Sequence, residues 1–153
     1  MDDTPFGDGL AARYFWSRHA DPWSVWAMVV AFPTFVLAIY RRDRRLFAGT
    51  LLAVALNPLL ASPPDDDDAW ATKVVLGERV WLDGGRLLSR ETAFVACCAP
   101  VYLYTLRAAV ERRPVGTACG TVVSMVLMLA FFRRMARLYE ERADGRRSGE
   151  RSS

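Results

Sequence analysis

The sequence is poor in the residue types that usually carry redox and metal chemistry. Its 153 residues include a single histidine, His19, and three cysteines, Cys97, Cys98 and Cys119. A haem held between two histidines inside a helical bundle is therefore not expected, because the chain has only one histidine. No two cysteines have the C-x-x-C spacing that lowers a thiol pKa, so we interpret all three as small apolar side chains. The sequence predicts no cofactor.

Charge is also missing from four long stretches, although 24% of all residues are charged. The stretches without Asp, Glu, Lys, Arg or His are residues 23–40, 46–60, 92–106 and 115–132. As helices, the first and the fourth would be about 27 Å long, close to the roughly 30 Å thickness of a bilayer's hydrocarbon core. The second and the third are shorter, and by length alone they also fit buried core helices. Arg107 would extend the third if its side chain reached the membrane interface.

This pattern predicts an all-α fold, a transmembrane four-helix bundle. The predicted spans are residues 23–40, 46–61, 92–110 and 115–132, preceded by a polar interfacial lead, residues 1–22, and followed by a basic extension, residues 133–153. A soluble domain of this size would need helices with a polar face, and the first and fourth stretches have none. We therefore expect a multi-pass protein of the cell membrane, with the lipid bilayer as its main partner.

The only long connection between two spans combines an acidic run with an apolar helical face. Asp65 to Asp68 come first, and Trp70, Val74 and Trp81 then follow at spacings that place them on one side of a helix. We predict an amphipathic interfacial helix over residues 70–82, between helices two and three. It either lies on the membrane surface or re-enters the membrane against the bundle.

An even number of spans places both termini on one side of the membrane. That side would hold thirteen of the twenty Lys and Arg residues, and the two short links would hold the other seven. The larger number of Lys and Arg residues on that side favours cytoplasmic termini. The two short links, which are the segments richest in arginine, would then face outward. We expect the basic extension to be partly disordered and to contact anionic lipid. The sequence contains no nucleic-acid-binding motif, so nucleic acid is not an expected partner.

A stripe of small residues lies along the fourth predicted helix. Gly116, Gly120 and Ser124 are spaced by four residues, which lets a neighbouring helix approach closely. The neighbour is either another helix of the bundle or a second copy of the chain. We favour internal packing, and a homo-oligomer is the alternative.

Polar side chains that could carry chemistry fall near the predicted membrane face that holds the termini. The candidate polar cluster consists of His19, Asp21, Asn57, Trp70, Glu78 and Arg79. His19 and Asp21 with the nearby aspartates could bind a divalent cation, but a solvated acidic loop explains the same residues. Glu78 beside Arg79 could act in catalysis, whereas an ion pair or a helix cap is the ordinary interpretation. We assign no catalytic residue and no metal ligand.

Three segments resemble a family of small prokaryotic membrane proteins, DUF6653. They are His19-Ala20-Asp21-Pro22-Trp23-Ser24-Val25-Trp26, Asn57-Pro58 and Leu76-Gly77-Glu78-Arg79-x-Trp81. The resemblance covers roughly residues 14–135 and implies a helical membrane protein with no assigned activity. Asp21 stands where the family often has asparagine.

Three functions are compatible with the sequence. A structural or interaction role without catalysis is the first. The second is an enzyme or a divalent-ion-binding protein that uses the candidate polar cluster at the membrane interface. A small transporter is the third, and it would need a polar cavity around Asn57, because the predicted spans contain no ionisable residue.

Overall fold

The computed structural model of the chain describes residues 22–60, 69–83 and 89–150. These residues form five α-helices and no strand, so the all-α prediction is confirmed. The helices are α1 (Pro22–Arg41), α2 (Arg44–Leu60), α3 (Trp70–Asp83), α4 (Arg90–Val110) and α5 (Pro114–Glu150). Helices α1, α2, α4 and α5 contain the four charge-free stretches, and α3 is the helix predicted between the second and the third span.

Two tight links, closed in the same way, join α1 to α2 and α4 to α5. Each contains an arginine in the left-handed backbone conformation, with φ of 56° at Arg42 and 57° at Arg112. The amide of Asp43 then donates a 3.0 Å hydrogen bond to the carbonyl of Ala38, and the amide of Arg113 makes the equivalent bond back into α4. This is the hydrogen bond of the Schellman helix end, which reverses the chain within a few residues.

Helix α3 packs into the molecule, between α1 and α5. The buried core cluster at this place consists of Val25 from α1, Ala71, Val74 and Val75 from α3, and Phe132, Met135 and Ala136 from α5. Gly77 contacts the backbone of α5 directly, and a Cβ atom added there would overlap the carbonyl of Met135. Only glycine therefore allows the two helices to approach this closely. The predicted helix therefore packs against α1 and α5.

Both ends of α3 are tied to neighbouring helices. Near its first turn, the ammonium group of Lys73 lies 3.3 Å from a carboxylate oxygen of Glu140 in α5. At its other end, the indole N–H of Trp81 donates a 3.0 Å hydrogen bond to the hydroxyl of Ser89. Ser89 is the N-cap of α4 and accepts a hydrogen bond from the amide of Thr92. The Ser89 side chain thus both caps α4 and holds the end of α3.

Helix α5 continues well beyond its apolar portion. The helix runs through Ala143 to Glu150, within the segment predicted as a basic extension. Alanine, arginine and glutamate are good helix formers, and adding residues to an existing helix avoids the cost of nucleation.

Two of the described helices are long and apolar enough to cross a membrane. They are Arg90–Val110 and Pro114–Gly145, in which an 18-residue window has a mean hydropathy of 1.5 and 2.0, respectively. Length and composition also fit a core helix of a soluble protein, but only 22% of each apolar window is buried. Val25–Arg41 is a shorter apolar helix, and α2 loses length because Arg44 and Arg45 begin it. By this criterion the four-span bundle is not confirmed.

Candidate functional site

The residues of the candidate polar cluster have different environments. His19 and Asp21 lie outside the described residues, as do Asp65 to Asp68. Asn57 is buried, and Arg79 is exposed. The described part of the chain therefore gives no geometry for the histidine and the aspartates that were considered as ligands of a divalent cation.

Trp70 takes part in packing at the start of α3. Its ring centre lies 6.0 Å from that of Trp26 in α1 and 6.5 Å from that of Phe132 in α5. At these distances the three rings form an aromatic contact that joins three helices. Trp70 thus has a packing role in the structure.

Glu78 is directed into an apolar cleft that separates α2 from α3 and α5, with α1 as its floor. The cleft, which we call the Glu78 cleft, has a volume of about 430 Å³. Its walls are Val25, Met28, Ala31, Phe32 and Phe35 of α1, Thr50, Leu51 and Val54 of α2, Val74, Val75 and Glu78 of α3, and Met128 and Phe132 of α5. This volume and this mostly apolar lining are typical of small-molecule sites.

Among the described residues that line this cleft, only Glu78 has an ionisable side chain. The one other polar side chain, Thr50, already donates a 2.8 Å hydrogen bond to the carbonyl of Leu46. No hydrogen bond and no ion pair to the Glu78 carboxyl is observed among the described residues. Burial raises the pKa of the Glu78 carboxyl from its ordinary value of 4.5 to about 7. Near neutral pH the carboxyl is therefore divided between its neutral and charged forms.

A second cleft, on the other side of α5, can be compared with the Glu78 cleft because its described lining has no acidic or basic side chain. It has a volume of about 510 Å³ and is lined by α4, α5 and the end of α3, including Trp81, Cys98, Tyr102 and Phe131. None of the described residues that line it is Asp, Glu, Lys or Arg. The two clefts are similar in size and apolarity, and Glu78 is what distinguishes the first.

The small-residue stripe of α5 packs against α4. A Cβ atom on Gly120 would lie 2.6 Å from the hydroxyl of Thr105, and one on Gly116 would lie 3.1 Å from the hydroxyl of Tyr104. The hydroxyls of Thr105 and Ser124 are 3.1 Å apart, and both residues are fully buried. The small residues of the stripe therefore allow α4 and α5 to pack closely, with the hydrogen bond between Thr105 and Ser124 in their interface.

The thiols and carboxylates of the described residues form no metal site. Cys98 is buried, Cys97 and Cys119 are exposed, and all three are free thiols. Within residues 22–60, 69–83 and 89–150, no three His, Cys, Asp or Glu side chains come together in a way that could hold a metal ion.

Sequence reasoning identified Glu78 but missed the cleft around it. Phe32 and Thr50 belong to two predicted spans, and neither has a local signal that marks it as part of a site. The sequence signal that could have separated Glu78 from Arg79 is helical geometry. Adjacent residues on a helix point about 100° apart, so one side chain can be buried while the other is exposed.

Comparison with known proteins places the chain in a family and provides no relative of known function. No curated protein and no solved structure matches it. Residues 7–153 match the family of unknown function DUF6653. This match includes all the segments that carry the resemblance, and the chain therefore belongs to the DUF6653 family.

Proposed function

We propose that this protein is a four-span protein of the cell membrane with a structural or interaction role, in which α1, α2, α4 and α5 cross the bilayer. The observation that carries the proposal is exposed apolar surface on each of these helices. Val30 of α1, Leu52 of α2, Leu103 of α4 and Val126 of α5 are 64%, 59%, 67% and 60% exposed. In water such a surface would drive aggregation, whereas lipid chains cover it without cost.

The polar side chains of the bundle interior support a structural role. Thr105 and Ser124 bond to each other, and the hydroxyl of Tyr102 donates a 3.1 Å hydrogen bond to the backbone carbonyl of Ser124. Polar groups of this kind hold membrane helices together, because lipid offers them no alternative partner. In this proposal the closely packed helices hold the first turns of α3 and the extension of α5 in fixed positions outside the membrane. Those two segments are the surfaces at which an interaction would take place.

Four spans place α3 and the extension of α5 on the same face of the membrane, where the basic side chains of α5 meet lipid headgroups. Arg133 and Arg137 are exposed on this extension. Each exposed cation near an anionic surface contributes about 1 kcal/mol of attraction. In this proposal anionic lipid binds the extension, and its face is cytoplasmic because it holds most of the basic residues.

Membrane extraction and cysteine accessibility test the proposal. In a variant with Cys97, Cys98 and Cys119 replaced by alanine, single cysteines are introduced at Arg44 or at Glu141. We expect the protein to stay in the membrane pellet after alkaline carbonate treatment. A membrane-impermeant maleimide should label Arg44→Cys in intact cells and Glu141→Cys only after lysis.

Two outcomes contradict the proposal. Release of the protein by carbonate would show that it is not integral to the membrane. Labelling of both cysteines from the same side would show that the number of spans between them is even, where three are proposed. An additional cysteine within residues 61–68 should match Glu141→Cys, since two spans separate those positions.

A further inference from the structure

The Glu78 cleft places one carboxylate against an apolar cavity, and no cation among the described residues lines this cavity. We propose that this cleft binds a hydrophobic organic cation, a molecule with an apolar body and a single positive charge. Nothing in the candidate polar cluster, and nothing in the proposed structural role, requires such a ligand. The inference rests on the proposed membrane position only for the route by which the ligand enters.

The apolar lining of the cleft suits an apolar body, which we infer enters from the side of α2. Leu51 lines the cleft and is 47% exposed, so the cleft opens beside this residue. In the four-span arrangement α2 faces lipid, and an amphiphile would therefore enter laterally from the bilayer. Phe32 and Phe35 line the floor, and aromatic faces attract organic cations as well as apolar groups.

Charge decides which ligands the cleft favours. A carboxylate in apolar surroundings is stabilised either by taking up a proton or by pairing with a cation. A cationic ligand supplies the missing partner in a medium where the attraction is weakly screened. A neutral ligand would only remove more water from Glu78, and an anionic ligand would be repelled.

No other described group competes for this role. The side chains that α1, α2 and α5 contribute to the lining of the cleft are apolar except for the hydroxyl of Thr50, and none of them titrates. On α3 itself, Val74 and Val75 are the other lining residues. The charge of Glu78 alone should therefore set the pH dependence of cation binding.

Binding of tetraphenylphosphonium to the purified full-length protein in detergent tests the inference, because this cation is apolar and does not titrate. Tetraphenylborate has the same shape and the opposite charge, so it is the matched probe. Equilibrium dialysis should give one saturable phosphonium site per chain and no comparable borate site. Since the carboxylate is needed, affinity should be higher at about pH 8.5 than at about pH 5.5.

Glu78→Gln should weaken phosphonium binding by about tenfold or more and remove its pH dependence. Glu141→Gln is the control, because it removes an exposed carboxylate of α5 outside the cleft and should leave the affinity unchanged. Val54→Trp keeps Glu78 but fills the cleft, and it should also weaken binding. This second variant gives a result even if Glu78→Gln does not fold.

The inference is overturned if the wild-type protein has no saturable phosphonium site, or if both Glu78→Gln and Val54→Trp bind as the wild type does. Equal binding of tetraphenylborate would show that the cleft takes any apolar molecule, a lipid chain included, and would also overturn it. The assay in detergent does not depend on the number of spans. Failure of the topology experiment and failure of cation binding are therefore separate results.

Discussion

Glu78 makes the stability of the folded protein depend on pH. Burial raises its pKa from 4.5 to about 7, so the folded state holds this proton more tightly than the unfolded chain does. The free energy of unfolding should therefore fall as the pH rises from about 4.5 to about 7 and then stay level. Glu78→Gln removes the charge, and at about pH 8 it should be more stable than the wild type by roughly 2 kcal/mol.

Thermal unfolding in detergent, followed by circular dichroism at about pH 4 and about pH 8, measures this difference. At the lower pH the carboxyl is mostly neutral in both states, and the variant and the wild type should be close in stability. Glu141→Gln, on the exposed surface, should show no such change between the two pH values. A variant that is less stable than the wild type at the higher pH would contradict the prediction.

Thr72 has a buried hydroxyl without a hydrogen-bond partner. Its side chain is fully buried, and its oxygen has no partner among the described residues. An unsatisfied buried hydroxyl costs about 1 to 3 kcal/mol, so Thr72→Val, which keeps the shape, should stabilise the protein by about 1 kcal/mol. The midpoint of thermal unfolding measures this gain.

Thr105→Val is the matched control for Thr72→Val. The hydroxyl of Thr105 donates a 2.8 Å hydrogen bond to the carbonyl of Val101 and lies 3.1 Å from the hydroxyl of Ser124. The same substitution should here destabilise the protein by about 1 kcal/mol, because Ser124 loses a partner. Effects of the same sign at the two threonines would contradict this explanation.

Among the elements, α3 depends most on a single contact. Gly77→Ala would push a methyl group into the carbonyl of Met135 in α5, and neither backbone can move without moving its helix. We expect a loss of about 3 kcal/mol in the free energy of unfolding. Gly49→Ala in α2 is the control, since a Cβ atom there meets nothing within 4 Å. It should raise stability by roughly 0.5 to 1 kcal/mol, and an equal effect at both glycines would show that α3 is not held by close packing.

The two tight links make the same turn with different side-chain surroundings. Arg42 and Arg112 both adopt a left-handed conformation that suits glycine, so Arg42→Gly should raise the free energy of unfolding by about 1 kcal/mol. The guanidinium of Arg112 also lies over the ring of Tyr40, at 5.9 Å from its centre. Arg112→Gly loses that contact and should gain less. Thermal unfolding compares the two variants, and a larger gain at Arg112 would refute this account.

The sequence predicted the helices better than it predicted how they meet. Runs without charge indicate where α1, α2, α4 and α5 lie, because apolar composition over many residues is a strong signal. The approach of Gly77 to Met135 has no such signal, since glycine occurs in helices for several reasons. The cleft around Glu78 also has no local signal, because its lining residues come from four separate helices.

Considered as a whole, the molecule is assembled around α1. This helix contacts each of the four other helices, whereas α2 makes substantial contact only with α1. Val25, Val36 and Ala38 are the buried side chains through which α1 joins the rest. The Glu78 cleft exists because α2 does not close against α3 and α5.

This arrangement has a consequence for how the protein could be produced. The hairpin of α1 and α2 docks onto the other helices through the surface of α1, and no contact within it depends on the chain between α2 and α3 being continuous. Two fragments expressed separately in one cell, residues 1–64 and 65–153, should therefore find each other and copurify as one complex. A split protein of this kind would allow each fragment to carry its own label.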